Sequence, residues 1–265
     1  MELPIDFESS TFDVLDLEPE IDGVDWIEED PQLPDGTANL YVYRLSTCSV
    51  SLHLDDEFEV WVPSLSSSAN WEIAFQVLRL AAELFETVFV TWNDGDLWEL
   101  DELFELCGDV WQKAEFDSDV RELERRVAVE GAIAVKGALR STHIGPGVLK
   151  EVASGACSIE EVLLRTNYVA GPHLAAAVVE EQVDGKLRAV TVLGPGLRTL
   201  LPPADAVLIE TIDTTKPPIL LPVAAFDTVA GLDVVLLDEG HRLVQAVPES
   251  AWPAVLESAF AQLEQ

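Results

Sequence analysis

Histidine, cysteine and convergent carboxylates carry much of protein chemistry, and the first two are scarce in this chain. Its 265 residues hold four histidines, His53, His143, His173 and His241. No two stand at metal-ligand spacing and none lies in an HExxH pattern, so the sequence predicts no metal and no cofactor. Cys48, Cys107 and Cys157 are odd in number, widely spaced and without a CxxC pair. That usage fits small apolar residues in a reducing cytosol, not a disulfide framework. A GxSxG nucleophile elbow is missing. An enzyme built on this chain would have to assemble its site from distant residues. His143, Cys157 and His241 are the first suspects, and a concave pocket would have to bring at least two of them within hydrogen-bond reach.

Two polar turns invite specific tests. Asn93-Asp94-Gly95-Asp96, followed by Glu99, Asp101 and Glu102, is acidic enough for calcium. With Gly95 at the sixth position of an EF-hand loop, Val90 falls at the first and Asp101 at the twelfth, where Asp and Glu are wanted. The mismatch favours a polar turn ahead of a helix. Gly145-Pro146-Gly147 precedes a short helical stretch from Val148, with His143 and Lys150 close in sequence. Amides at a helix start bind anions. Proline removes one donor, however, and neither GxxxxGK[ST] nor GxGxxG is present, so helix-start punctuation is the plainer reading.

Charge is the most unusual property of the chain. Asp and Glu number 49 against 15 Lys and Arg, for a net of −34. Binding to nucleic-acid phosphate or to an anionic membrane is disfavoured over most of such a surface. Apolar content of 48% with 24% charged residues is that of a globular chain. The N-terminus lacks the pattern of a signal peptide, and no apolar run approaches the roughly 20 residues of a membrane helix, so a cytoplasmic location is expected. The acidity is uneven. Residues 1–130 carry 33 acids and 6 Lys and Arg, whereas 131–265 carry 16 and 9. This shift places an expected subdomain boundary near residue 130. The first 35 residues hold 13 acids and no Lys or Arg. They read as a solvated tail held open by self-repulsion, or else as an acidic segment with apolar anchors that docks on a basic groove.

The elements that would position these groups are clearest between residues 40 and 92. Val50, Leu52 and Leu54 alternate with polar residues, Asp55-Asp56-Glu57 breaks the run, and Phe58, Val60 and Val62 alternate again. This is the pattern of an antiparallel hairpin with one buried face. After Pro63 and three serines, Trp71, Ala74, Phe75, Leu78, Ala81, Ala82 and Phe85 mark a helix whose apolar stripe covers that face. Val88, Phe89 and Val90 suggest a third strand. Residues 97–111 and 117–127 read as helices, and 129–135 as a buried strand. Ser158-Ile159-Glu160-Glu161 is a capping-box pattern. Asp184-Gly185 between 176–183 and 186–193 signals a hairpin, with a helix over Leu174 to Glu181 as the alternative. Further strands are expected at 207–212, 219–221 and 232–237, and a final amphipathic helix runs from Trp252 to Leu263. The fold class is therefore α+β: a mostly antiparallel sheet with amphipathic helices on one face, divided into an acidic tail (1–35), a strongly acidic subdomain (36–130) and a less acidic one (131–265).

Six of the seven tryptophans precede residue 130. Trp71 and Trp252 fit core stripes, while Trp61 falls on the polar face of its strand beside Glu59. An aromatic among acids is a candidate contact residue. The leading expectation is a non-enzymatic cytosolic binding module, such as an inhibitor, an immunity-type protein or an adaptor. It would engage a basic protein surface through Asp55, Asp56, Glu57, Glu59 and Trp61, with Glu99, Asp101, Glu102 and Glu105. The alternatives are the enzyme with a dispersed His/Cys site and a generally acidified protein with no specific acidic contact.

Overall fold

The computed structural model describes residues 2–3, 24–27, 37–54, 58–92, 95–169, 174–175, 178–183, 186–211 and 217–263. The fold is α+β, and the sheets are mostly antiparallel. Two compact units divide the chain: residues 1–141 with 149–168, and residues 142–148 with 169–265. Charge alone placed the division near 130. The acid content of a surface does not record which buried groups pack together, and α5 at residues 159–167 belongs with the first unit.

The first unit contains β1 (Glu2–Leu3), β2 (Val24–Ile27), β3 (Thr37–Val42), β4 (Val50–Leu54), β5 (Phe58–Trp61), α1 (Ser68–Leu84), β6 (Phe89–Trp92), β7 (Asp96–Glu99), α2 (Leu100–Leu106), α3 (Asp109–Glu130) and β8 (Ile133–Val135). Its seven-stranded sheet runs β2-β3-β4-β5-β1-β6-β7. The alternating hairpin forms with Leu52 opposite Val60 and His53 opposite Glu59. Of the acidic segment 1–35, Glu2–Leu3 and Val24–Ile27 pair into this sheet. Those six residues are strands where composition suggested a solvated tail, because backbone pairing is open to any residue with a partner edge.

Helix α1 packs across the inner face of β3, β4 and β5. Its buried side chains are Asn70, Ile73, Ala74, Val77, Leu78, Ala81 and Ala82. The stripe is thus rotated from the expected one. Ile73 and Val77 face the sheet, while Trp71 and Phe75 sit half-buried on the flank. Small and β-branched residues let the helix approach the strands closely, and the large rings reach sideways to Trp111 and Phe104, at centroid distances of 5.0 and 4.7 Å. The helix expected at 97–111 is split. Asp96–Glu99 pairs with Phe89–Trp92 as a hairpin, α2 is short, and Gly108 caps α3, which runs unbroken to Glu130. The EF-hand reading fails here, since Val90 lies in a strand paired with Asp96–Glu99 where the motif requires an incoming helix. The strand expected at 129–135 is only Ile133–Val135, because α3 continues through Val129.

The start of α1 is a buried polar node. Asn70 Oδ1 accepts from Ser67 N at 3.0 Å and from Ser67 Oγ at 2.8 Å, and Asn70 Nδ2 donates to Cys48 O at 2.7 Å. Thr47 Oγ1 donates to Leu65 O at 2.6 Å. Following α4 (Pro146–Ala153) comes α5 (Ile159–Asn167), begun by the capping box of Ser158 and Glu161. Its last residue extends the node: Asn167 Nδ2 donates to Thr47 O and Leu163 O.

The second unit begins with β9 (Thr142–Ile144) and continues from β10 (Leu174–Ala175) through β11 (Val178–Val183), β12 (Lys186–Leu193), β13 (Thr199–Leu201), β14 (Ala206–Ile209), β15 (Ile219–Pro222), α6 (Val223–Phe226), β16 (Val234–Leu236), β17 (Arg242–Val244) and α7 (Trp252–Leu263). Strands β11-β12-β14-β15 form one sheet and β10-β13-β17-β16 another. The strands on either side of Asp184-Gly185 pair antiparallel, as the sequence indicates. Trp252, Phe226, Leu221 and Ile209 lie in the core of this unit. The Trp252 indole satisfies its polar end by donating to Glu210 O at 2.8 Å.

Two substitutions test the first unit. Ile73→Ala is expected to cost about 2–5 kcal/mol in denaturant titration, as for a fully buried branched side chain; a cost below about 1 kcal/mol would place another face of α1 inward. Asn70→Ala takes from buried Cys48 C=O its donor at 2.7 Å, whereas Ser67 N–H keeps Thr47 Oγ1 as acceptor at 3.0 Å. We expect a loss of about 1–3 kcal/mol for the group left unsatisfied, read in the same titration.

Candidate functional site

A cleft of about 460 Å³ opens in the first unit where β5, α1, β6 and α3 meet. The alternation of β5 sends Val60 inward, and the chain after Trp61 turns through Val62, Pro63 and Ser64 to make one wall. Trp71 from the first turn of α1, Trp92 from the end of β6 and Trp111 from the first turn of α3 make an aromatic corner. The Trp71 and Trp111 rings meet edge to face at 5.0 Å, and Trp92 and Trp111 do so at 5.9 Å. Phe116, Glu115 and Asp119, one to two turns further along α3, complete the lining. Among the described residues no Lys or Arg lines the cleft.

The wall is held under backbone constraint. Leu65 sits at φ 63°, a left-handed conformation that costs a non-glycine residue about 1–3 kcal/mol. Both of its polar backbone groups are gripped: Asp119 Oδ2 accepts its N–H at 2.7 Å, and its C=O accepts from Thr47. Ser66 Oγ donates to Pro63 O at 2.6 Å and locks the same turn. Aromatic faces carry negative potential, and with two carboxylates at the rim the cleft is suited to a cation. The same carboxylates disfavour an anion or a phosphate there.

The expected acidic contact residues fall in separate places. Asp55, Asp56 and Glu57 lie outside the described residues. Glu59 and Trp61 are on the outer face of β5, opposite in direction to Val60. Trp61 is 58% exposed, and its Nε1 donates to Glu59 Oε2 at 2.7 Å. Glu99 ends β7, and Asp101, Glu102 and Glu105 are exposed on α2. In the sheet order, β1 and β6 stand between β5 and β7, so these are two patches and not one cluster. Glu99 and Asp101 share a shallow groove with Glu83, Glu86 and Arg79. None of the expected residues that are described lines the tryptophan cleft. Its residues were missed because Trp71, Trp92 and Trp111 come from three elements up to 40 positions apart; the concentration of tryptophan before residue 130 was the available signal.

The Gly-Pro-Gly turn does gather an anion, and that anion belongs to the protein. Glu239 Oε1 accepts from Gly147 N and from Val148 N at the start of α4. A side chain at Gly145 would come within 2.6 Å of the Glu239 side chain, so the glycine makes room for the carboxylate. Of the catalytic suspects, Cys157 stands before the capping serine in the first unit, 3.9 Å from Glu151 Oε2. His143 on β9 and His241 at the foot of β17 come together in the second unit, with ring centroids 5.5 Å apart. Asp238 joins them: its Oδ2 lies 2.9 Å from His241 Nδ1 and accepts His143 N–H at 2.9 Å. Burial alone would raise the Asp238 carboxyl, but the hydrogen bonds and charge of His241, with the backbone donors, hold it below its ordinary value. Burial pushes His143 below the usual imidazole range, against the pull of Asp238.

Comparison with protein-family models, with curated proteins and with solved structures finds no match. Among the described residues no helix is long and apolar enough to cross a membrane.

The thiols give a direct check on accessibility. Burial raises the Cys48 thiol, and Cys107 is pushed up to about 11 by burial and by Glu115. Thiolates, not thiols, are the reactive form. Native protein treated with iodoacetamide at neutral pH is therefore expected to be modified at half-exposed Cys157 well before Cys48 or Cys107, as read by peptide mass spectrometry. Equal modification of all three would mean that the first-unit core opens readily.

Proposed function

We propose that this chain is a non-enzymatic binding protein whose acidic first unit engages a basic protein partner and takes a cationic side chain of that partner into the tryptophan cleft. The observation that carries this reading is the cleft itself: Trp71, Trp92 and Trp111 converge beside Glu115 and Asp119, with no Lys or Arg among the described residues that line it. A desolvated cation on an aromatic face is worth up to about 2 kcal/mol, and the carboxylates add charge complementarity. Half-buried Glu59 on β5 and exposed Asp101, Glu102 and Glu105 on α2 add negative potential to the unit, which steers a basic partner toward it. Inhibition, immunity-type neutralisation and adaptor function all use such recognition, and the net charge of −34 supports any of them equally.

Titration of the full chain with short peptides, followed by tryptophan fluorescence, tests the cleft. Peptides bearing one arginine, lysine or trimethyl-lysine in a neutral context are expected to give a saturable change, and a glutamine control is not. Trp111→Ala should weaken binding by about tenfold or more. Equal responses to cationic and control peptides, or unchanged binding by the variant, would reject the cleft as the contact.

The steering surface has its own test. With a polybasic peptide, the association rate should fall steeply between low and physiological salt. The combined variant Glu59→Lys, Glu102→Lys, Glu105→Lys should reduce the low-salt rate by about tenfold or more. A rate independent of salt and unchanged in the variant would leave the acids as solvating groups only.

A further inference from the structure

The turn between β16 and β17 reads Asp238-Glu239-Gly240-His241, and each residue is used against the segment that starts with β9. Asp238 and His241 are 3% and 5% exposed, and His143 faces them with its ring half-exposed. One donor atom from each of the three side chains lies within 4.8 Å of the others. Gly240 permits this approach: a Cβ there would come within 2.6 Å of Pro203 and 3.2 Å of the His143 ring.

Two facts separate this cluster from an ordinary buried ion pair. His143 Nδ1 is buried and has no hydrogen-bond partner among the described residues. Leaving such a group unsatisfied is unfavourable, and native interiors seldom do so without a ligand or functional reason. The Asp238 carboxylate is also held rigidly, beyond what pairing with one histidine needs. Its Oδ1 accepts Gly240 N–H at 2.7 Å and His241 N–H at 2.6 Å, and its Oδ2 accepts His143 N–H. Such outer hydrogen bonds orient carboxylates and imidazoles that ligate metals.

We propose that His143, Asp238 and His241 form a binding site for one divalent transition-metal ion of the zinc or cobalt class. Two imidazole nitrogens and one carboxylate oxygen are the donor set of borderline-soft first-row ions, and they leave a position open for water. Calcium and magnesium prefer all-oxygen shells and fit poorly. The 2.9 Å separation of His241 Nδ1 and Asp238 Oδ2 suits two adjacent donors on one ion. The ion would then replace the proton these atoms share, and rotation of the half-exposed His143 ring closes the set.

The test uses the full chain, freed of metal by a chelator, and titrated with Co²⁺ and then Zn²⁺. We expect one tight Co²⁺ equivalent with visible absorption bands of a low-coordinate, nitrogen-ligated ion, displaced by Zn²⁺, and a rise in the thermal midpoint with Zn²⁺. His143→Ala removes a half-exposed side chain and should still fold, while weakening the tight equivalent by more than about tenfold. His241→Gln provides a second variant, with circular dichroism to verify folding. Absence of a tight equivalent in the wild type would overturn the proposal. So would tight binding that persists undiminished in a folded variant, because the ion would then sit on the acidic surface.

Discussion

Buried amides and hydroxyls cannot be left without partners, and the first unit depends on meeting that requirement at one place. Asn70 and Asn167 are fully buried, as are Ser46 and Thr47 nearly so. Asn70 ties Ser67 to Cys48, Thr47 ties Leu65, and Asn167 bonds Thr47 O while its Oδ1 accepts from Leu139 N and Arg140 N. Tyr168 Oη adds a bond to Ser46 O at 2.7 Å. In a low-dielectric interior a fully satisfied network specifies one arrangement, whereas a partly satisfied one is worse than apolar packing. The network fixes the turn from Pro63 to Ser68, and that turn is a wall of the tryptophan cleft. Close approach has a second expression at Gly137, where any side chain would collide with the Asn167 amide.

The charge of the chain is a field more than a set of contacts. Helix α3 carries the pairs Arg125–Glu122 and Arg126–Glu130, both exposed, and such pairs contribute little to stability. With 49 acids against 15 Lys and Arg, most carboxylates can have no cationic partner within the chain. Their shared effect is repulsion of anions and attraction of cations over a Debye length of about 8 Å at physiological salt. A cleft with aromatic faces placed inside that field is selective in sign before any contact is made.

In the second unit one turn combines three kinds of constraint. Glu239 neutralises the positive start of α4, Gly240 admits the imidazole of His143, and Asp238 gathers backbone donors around His241. The acidic Asp-Glu pair, an unremarkable polar turn in the sequence, thereby becomes the link that holds β9 and the start of α4 against β17. The Gly-Pro-Gly motif finds its purpose in the same place, as space for a carboxylate of the chain itself.

Local pattern was sufficient for much of the architecture. The hairpin from Val50 to Trp61, the existence of α1, the capping box at Ser158, the paired strands around Asp184-Gly185 and the C-terminal helix were all legible, because a strand or helix period depends only on neighbours in sequence. The α+β class followed from them, and the acidic excess from simple counting. Packing decided the rest. A helix as apolar as α1 offers two adjoining faces, and only the sheet beneath it chose Ile73 and Val77 over Trp71 and Phe75. The helix expected at 97–111 lost its first residues to a strand, because Phe89–Trp92 supplied an edge to pair with. The tryptophan cleft draws on β5, α1, β6 and α3, and the histidine cluster joins positions 143 and 241. No periodicity reports contacts over such separations; they exist only once the strands and turns that carry them have been brought together.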